Sequence, residues 1–156
     1  LKVLHDNKYI HNDVKPANIL INKRGDIKLG DYGLIIQLKT DQKYIKGNVV
    51  GTQYYGSPEK LFNSNPKYDT KSDIWSFGIT MYELALFNKA NEPEILNNGY
   101  NIDIPKLNEN IFSQDFRSFI DKCLVTDPSK RWNCNELLKH KFILKYINSD
   151  LKDKWP

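Results

Sequence analysis

Apolar residues along the chain change their period several times, and each change marks an element. From Asp73 to Phe87 almost every position is apolar, including Ile74, Trp75, Phe77, Ile79, Met81, Tyr82, Leu84, Ala85 and Leu86. A helix that is apolar all round is buried, so this segment is expected to be the central post of the core. Further on, Phe116, Phe119, Ile120, Cys123 and Leu124 fall at i, i+3, i+4, i+7 and i+8. That spacing predicts an amphipathic helix, with Ser113 as its cap. Asn133 followed three residues later by Glu136 has the form of a capping box, and it should open one last helix through Leu137, Leu138 and Phe142.

The first third reads differently. A helix is expected to end at Leu4-His5, and Tyr9-Ile10-His11 then forms a short strand that enters a polar loop. Ile19-Leu20-Ile21 and Ile27-Lys28-Leu29 are rich in β-branched residues, and Asn22 to Asp26 supplies turn chemistry between them, which predicts a hairpin. Between Asp31 and Glu59 there is little periodicity, so a long loop is expected. Loops of that length within a compact domain are usually functional. The fold class is therefore mainly α with a small β-hairpin element.

Candidate chemistry lies around that hairpin. His11-Asn12-Asp13-Val14-Lys15-Pro16-Ala17-Asn18 precedes it, and Asp31-Tyr32-Gly33 follows it. Taken singly, Asp13, Asn18 and Asp31 could be cap or turn residues and Lys15 a surface charge. The pattern HxDxKPxxN as a whole would arise by chance at roughly three in ten million positions. With this order and spacing the chain resembles the protein-kinase catalytic domain, specifically its C-terminal lobe.

The resemblance spans essentially the whole chain. Gly51-Thr52 with Tyr55-Gly56-Ser57-Pro58-Glu59 is similar to the GTxxYxxPE stretch that closes a kinase activation segment. Asp73-Ile74-Trp75-Ser76-Phe77-Gly78 is similar to the DxWSxG that opens the buried central helix, and Asp127-Pro128-Ser129-Lys130-Arg131 to the late DPxxR motif. The implied organisation is a catalytic loop at 11–18, a magnesium motif at 31–33, an activation segment at 31–59 and a helical subdomain at 69–147.

What the resemblance implies about the site fits the chemistry, because phosphoryl transfer needs alignment and charge neutralisation more than covalent help. Asp13 would orient the substrate hydroxyl and accept its proton, and Lys15 would neutralise the transferring phosphoryl group. Asn18 and Asp31 offer hard oxygens to Mg2+, and together with Lys15 they would hold ATP. His11 is expected to pack against the Asp31 motif, and Thr52 to hydrogen-bond Asp13 and Lys15. Glu59 and Arg131 should form a buried ion pair, and Asp73 should accept from amides near His11 and Asn12.

The lysine form of the catalytic loop implies a serine/threonine kinase, and several runs, such as Arg24-Gly25-Asp26-Ile27-Lys28-Leu29, resemble the MAP kinase kinase group. Dual specificity toward serine/threonine and tyrosine is then an option. The alternative is a non-catalytic pseudokinase or truncated scaffold that binds protein partners.

Some positions depart from the pattern. Asn12 stands where most kinases have an arginine that receives an activating phosphate, which implies activity independent of loop phosphorylation or no regulated activity. Modification of the loop should then matter little, unless Lys39, Lys43 or Lys46 folds back to supply the missing charge. Tyr32 replaces phenylalanine and needs a partner for its hydroxyl. Trp132 replaces a proline, and the linker from Phe87 to Leu96 lacks the usual proline-rich stretch.

Composition then narrows the setting. The 156 residues carry 23 basic and 19 acidic groups for a net charge of +4, scattered rather than clustered, so one domain is expected and no nucleic-acid partner. Cys123 and Cys134 are the only cysteines and should be buried free thiols. No signal peptide or membrane-length apolar run is present, which leads us to expect an intracellular, cytoplasmic protein. Leu1 is not Met, and no Gly-rich loop, strand lysine or partnering glutamate precedes His5. The N-lobe of the same kinase domain is therefore expected as a partner encoded upstream, beside the protein substrate, and the C-lobe alone should be inactive and prone to aggregate.

Overall fold

A computed structural model describes residues 1–47, 49–86, 96–98 and 101–147. It is a mainly helical lobe with four small antiparallel ladders. In chain order α1 spans Lys2–Asp6, β1 Tyr9–Ile10, β2 Ile19–Ile21, β3 Ile27–Leu29, β4 Ile36–Gln37, β5 Ile45–Lys46, α2 Pro58–Leu61 and β6 Lys67–Tyr68. The 16-residue α3 follows at Lys71–Leu86, then β7 at Leu96–Asn98, β8 at Asn101–Asp103, α4 at Gln114–Cys123, α5 at Cys134–Leu137 and α6 at Lys141–Tyr146. Phe87 and the linker to Ile95, for which expectations were stated above, lie outside the described residues.

The core is built on α3. Ile74 and Tyr82 from this helix pack with Leu107, with Phe119, Ile120 and Cys123 of α4, and with Leu137 of α5. At Gly78 a Cβ would come 2.7 Å from Cys123 Cβ, so glycine is what lets α3 and α4 meet this closely. The polar residues on α3 satisfy one another and the loops around them. Thr80 Oγ1 donates to Ser76 O at 2.8 Å, and Ser76 Oγ to Tyr55 O at 2.7 Å. Ser113 caps α4 by accepting from Phe116 N at 3.3 Å, and Asn133 and Glu136 complete the capping box of α5.

Three expectations need correction. The segment 31–59 is not a structureless loop, because it carries β4, β5, a short 3-10 turn at Gln53–Tyr55 and α2. β4 pairs with β1 (Ile10 opposite Ile36), and β5 pairs with β6 (Ile45 opposite Tyr68). Ile10, Leu38, Ile45 and Tyr68 form a second, smaller core beneath these ladders. The last helix is two helices. His140 takes an extended conformation, its Nδ1 accepts from Phe142 N at 3.1 Å, and its ring packs edge-on against Phe119 and Trp132. Finally, Cys123 is buried but Cys134 is only half-buried.

Candidate active site

The catalytic loop is held from below by one carboxylate. Asp73, in the first turn of α3 and fully buried, accepts from His11 N at 2.7 Å and Asn12 N at 2.9 Å, and from His5 Nε2 at 2.9 Å. A buried carboxylate is tolerated because these donors replace its water. Asn12 consequently adopts a left-handed backbone, φ 69°, which asparagine accepts more readily than most residues. His11 donates from Nε2 to Gly30 O at 3.0 Å and accepts at Nδ1 from Asp13 N at 3.3 Å, so both ring nitrogens are committed to the backbone. Its ring meets that of Tyr32 edge-on at 5.6 Å, and the Tyr32 hydroxyl donates to Leu29 O at 2.7 Å.

Four donors converge on Asp13. Lys15 Nζ lies 2.8 Å from Oδ2, and Asn18 Nδ2 donates to the same oxygen at 3.0 Å and to the Asp13 carbonyl at 2.7 Å. Thr52 gives Oδ1 both its hydroxyl, at 2.8 Å, and its backbone N–H, at 3.1 Å, and Lys15 Nζ in turn donates to Thr52 Oγ1 at 2.9 Å. Burial pushes the Asp13 carboxyl up, but the bonds from Lys15, Thr52 and Asn18 outweigh burial and bring its pKa down to about 2.

Asn18 and Asp31, the two residues expected to hold a cation, flank the β2–β3 hairpin. Gly30 N donates to Asn18 O at 2.8 Å, closing the β2–β3 hairpin next to Asp31. Both bonds of the Asn18 amide nitrogen go to Asp13, so its side-chain oxygen is the atom that could meet a cation. Asp31 is exposed, has φ 58°, and accepts from Gly33 N at 3.2 Å. No group of three or more His, Cys, Asp or Glu side chains gathers among the described residues. Two hard oxygens and no cage suit Mg2+ carried in with phosphate oxygens rather than a self-contained metal site.

The activation segment closes onto this centre. Gly51, at φ 105°, lies so near the catalytic loop that a Cβ there would sit 2.1 Å from Asn12 O. Beyond it, Tyr55 donates its hydroxyl to Glu83 Oε2 at 2.7 Å. Glu59 receives a two-pronged pair from Arg131, at 2.8 and 2.9 Å, with the Arg131 side chain buried. Removing one member of such a pair typically costs about 3–5 kcal/mol, because the other charge is stranded.

A model of the protein kinase domain matches residues 1–143. The chain belongs to the protein kinase domain family. This kinase domain is 41% identical over 99% of its length to serine/threonine-protein kinase dst2 of Dictyostelium discoideum, of which it spans 14%. It is 36% identical over 94% of its length to mitogen-activated protein kinase kinase 1 of Arabidopsis thaliana, spanning 44% of that protein, and 40% identical over 92% to Dictyostelium serine/threonine-protein kinase dst1, spanning 20%. The chain thus covers less than half the length of each of these relatives, and it resembles serine/threonine kinases of both kinds. Among its described residues no helix is long and apolar enough to cross a membrane.

Sequence reasoning missed one charged residue at this site. Lys60, one place after Glu59, is buried, and its Nζ donates to Asn12 Oδ1 and Val50 O, each at 3.0 Å. The cation beside Asn12 is Lys60, not one of Lys39, Lys43 and Lys46, the residues that the sequence offered as able to fold back. Its place in the chain, after a proline and a glutamate at a helix start, gave no periodic signal of burial.

Proposed function

We propose that the chain is the C-terminal lobe of a protein serine/threonine kinase, completed by an N-lobe encoded upstream, that transfers the γ-phosphoryl group of ATP to protein hydroxyls. The observation that carries this reading is the convergence of Lys15, Asn18 and Thr52 on the two oxygens of Asp13. A surface aspartate in a turn does not gather a lysine, an amide and a threonine from two separate segments.

The geometry supports the following roles. With a pKa of about 2, Asp13 is a weak base in this state, so its first task is to orient the incoming hydroxyl, with proton acceptance late in the step. A loose phosphoryl-transfer transition state asks no more of it. Lys15 lies 2.8 Å from Asp13 and extends from the same loop, so its ammonium is placed to stabilise charge on the transferring group. Thr52 holds Asp13 and Lys15 at a fixed separation. Asn18 and Asp31 would hold Mg2+, which would neutralise nucleotide phosphate charge when bound.

The test is the full-length gene product with Asp13→Asn. Phosphotransfer to a generic basic protein should fall at least about 100-fold while ATP affinity changes little, because Asp13 acts on the hydroxyl. Full-length protein that binds no nucleotide and transfers no phosphate would instead make this a non-catalytic scaffold, and equal turnover in the variant would remove Asp13 from the reaction.

A further inference from the structure

Lys60 is 4% exposed, and burying an ammonium is costly unless a partner offsets it. Yet among the described residues no carboxylate contacts it. Its hydrogen bonds go to two neutral oxygens, Asn12 Oδ1 on the catalytic loop and Val50 O on the activation segment, and its Nζ lies 4.6 Å from the centre of the Tyr68 ring. Asn12 passes the connection on, because its Nδ2 donates to Leu34 O at 2.9 Å, just beyond the Asp31 motif. One cation therefore ties the catalytic loop to the activation segment at Val50 and, through Asn12, at Leu34. Tyr68 brings in β6, which pairs with β5 of the activation segment.

We propose that Lys60 is a positioning residue that clamps the activation segment to the catalytic loop and does so without a phosphate. Two residues beyond Val50, Thr52 places both of its donors on Asp13, so whatever fixes Val50 fixes the partner of the reactive carboxylate. Asn12 is the complement of Lys60. A neutral side chain with a carbonyl oxygen can accept from the ammonium, whereas a cationic one at the same place would repel it. Burial pushes the Lys60 pKa down, and the charges of Asp73, Glu59 and Asp13 push against that. A phosphate arriving from outside would find this cation already enclosed and engaged.

This inference rests on the phosphotransfer reading, and its test separates the two. Amide hydrogen exchange of residues 50–55 is measured in the full-length protein and in Lys60→Met and Lys60→Arg, with ATP turnover followed in parallel. Lys60→Met should speed exchange in that segment about tenfold or more, and Lys60→Arg should restore it. The same loss should appear as a fall in kcat of about 10- to 100-fold with KM for ATP unchanged. Phosphatase treatment should leave wild-type kcat as it was. Unchanged exchange in Lys60→Met, or wild-type activity that is lost on dephosphorylation, overturns the proposal. If Lys60→Met fails to fold, Lys60→Gln, too short to reach both oxygens, carries the same expectation. Wild-type protein that transfers no phosphate would defeat the kinase reading alone, since the exchange result stands without turnover.

Discussion

His5, in the last turn of α1, does more than complete that helix. Burial alone would push its pKa down, but the Asp73 carboxylate, helped by Cys134, outweighs burial and brings it up to about 9 from 6.5. Its Nε2 lies 2.9 Å from Asp73 Oδ2, and its Nδ1 lies 3.4 Å from the Cys134 sulfur. Because the folded pKa is the higher one, the stabilisation is fully present below about pH 6.5 and is lost as pH rises through about 9. The difference in melting temperature between wild type and His5→Gln should therefore be largest near pH 6.5 and shrink toward pH 9. A difference that stays constant over that window would show that no proton is linked to this contact. Since Asp73 also carries the amides of His11 and Asn12, the same titration should loosen the catalytic loop.

At the scale of elements, α2 opens with a residue that does not do what its type suggests. Ser57 stands at the N-cap position, but its side chain makes no capping bond, and its buried hydroxyl has no partner among the described residues. Leaving such a group unpaired costs about 1–3 kcal/mol. Ser57→Ala should hence raise the denaturation midpoint or leave it unchanged, and a clear loss of stability in urea titration would mean that the hydroxyl is engaged after all. The elements that were legible in the sequence are those whose signal is local. The β2–β3 hairpin, the apolar run of α3, the 3-4 spacing of α4 and the Asn133–Glu136 box each declare themselves within a short stretch of chain. β4 and β5 have two residues each and exist because β1 and β6 meet them from far along the chain, so no period announces them. The break at His140 is also tertiary, since its ring fills the space between Phe119 and Trp132. The candidate site divides the same way. Asp13, Lys15, Asn18 and Asp31 could be read from their spacing, whereas the burial of Lys60 depends on segments meeting in three dimensions.

Over the whole molecule, the larger core lies among the helices, and the β2–β3 hairpin leaves a run of apolar side chains uncovered. Leu20, Ile21 and Ile27 of β2 and β3 are 59%, 52% and 67% exposed, a concentration of apolar side chains that a soluble monomer rarely leaves uncovered. Residues 1–156 expressed alone should bind a hydrophobic dye and sediment as oligomers, and a dye-silent monomer would show that this face needs no cover. Tolerance is least at the activation segment. Gly51 carries no reactive atom, yet any side chain on it would collide with the Asn12 carbonyl and lift Thr52 from Asp13. On the proposed reading, a single missense change at that codon would leave Asp13, Lys15, Asn18 and Asp31 all legible in the gene, and an inspection of those residues would pass as intact an allele whose product is silent.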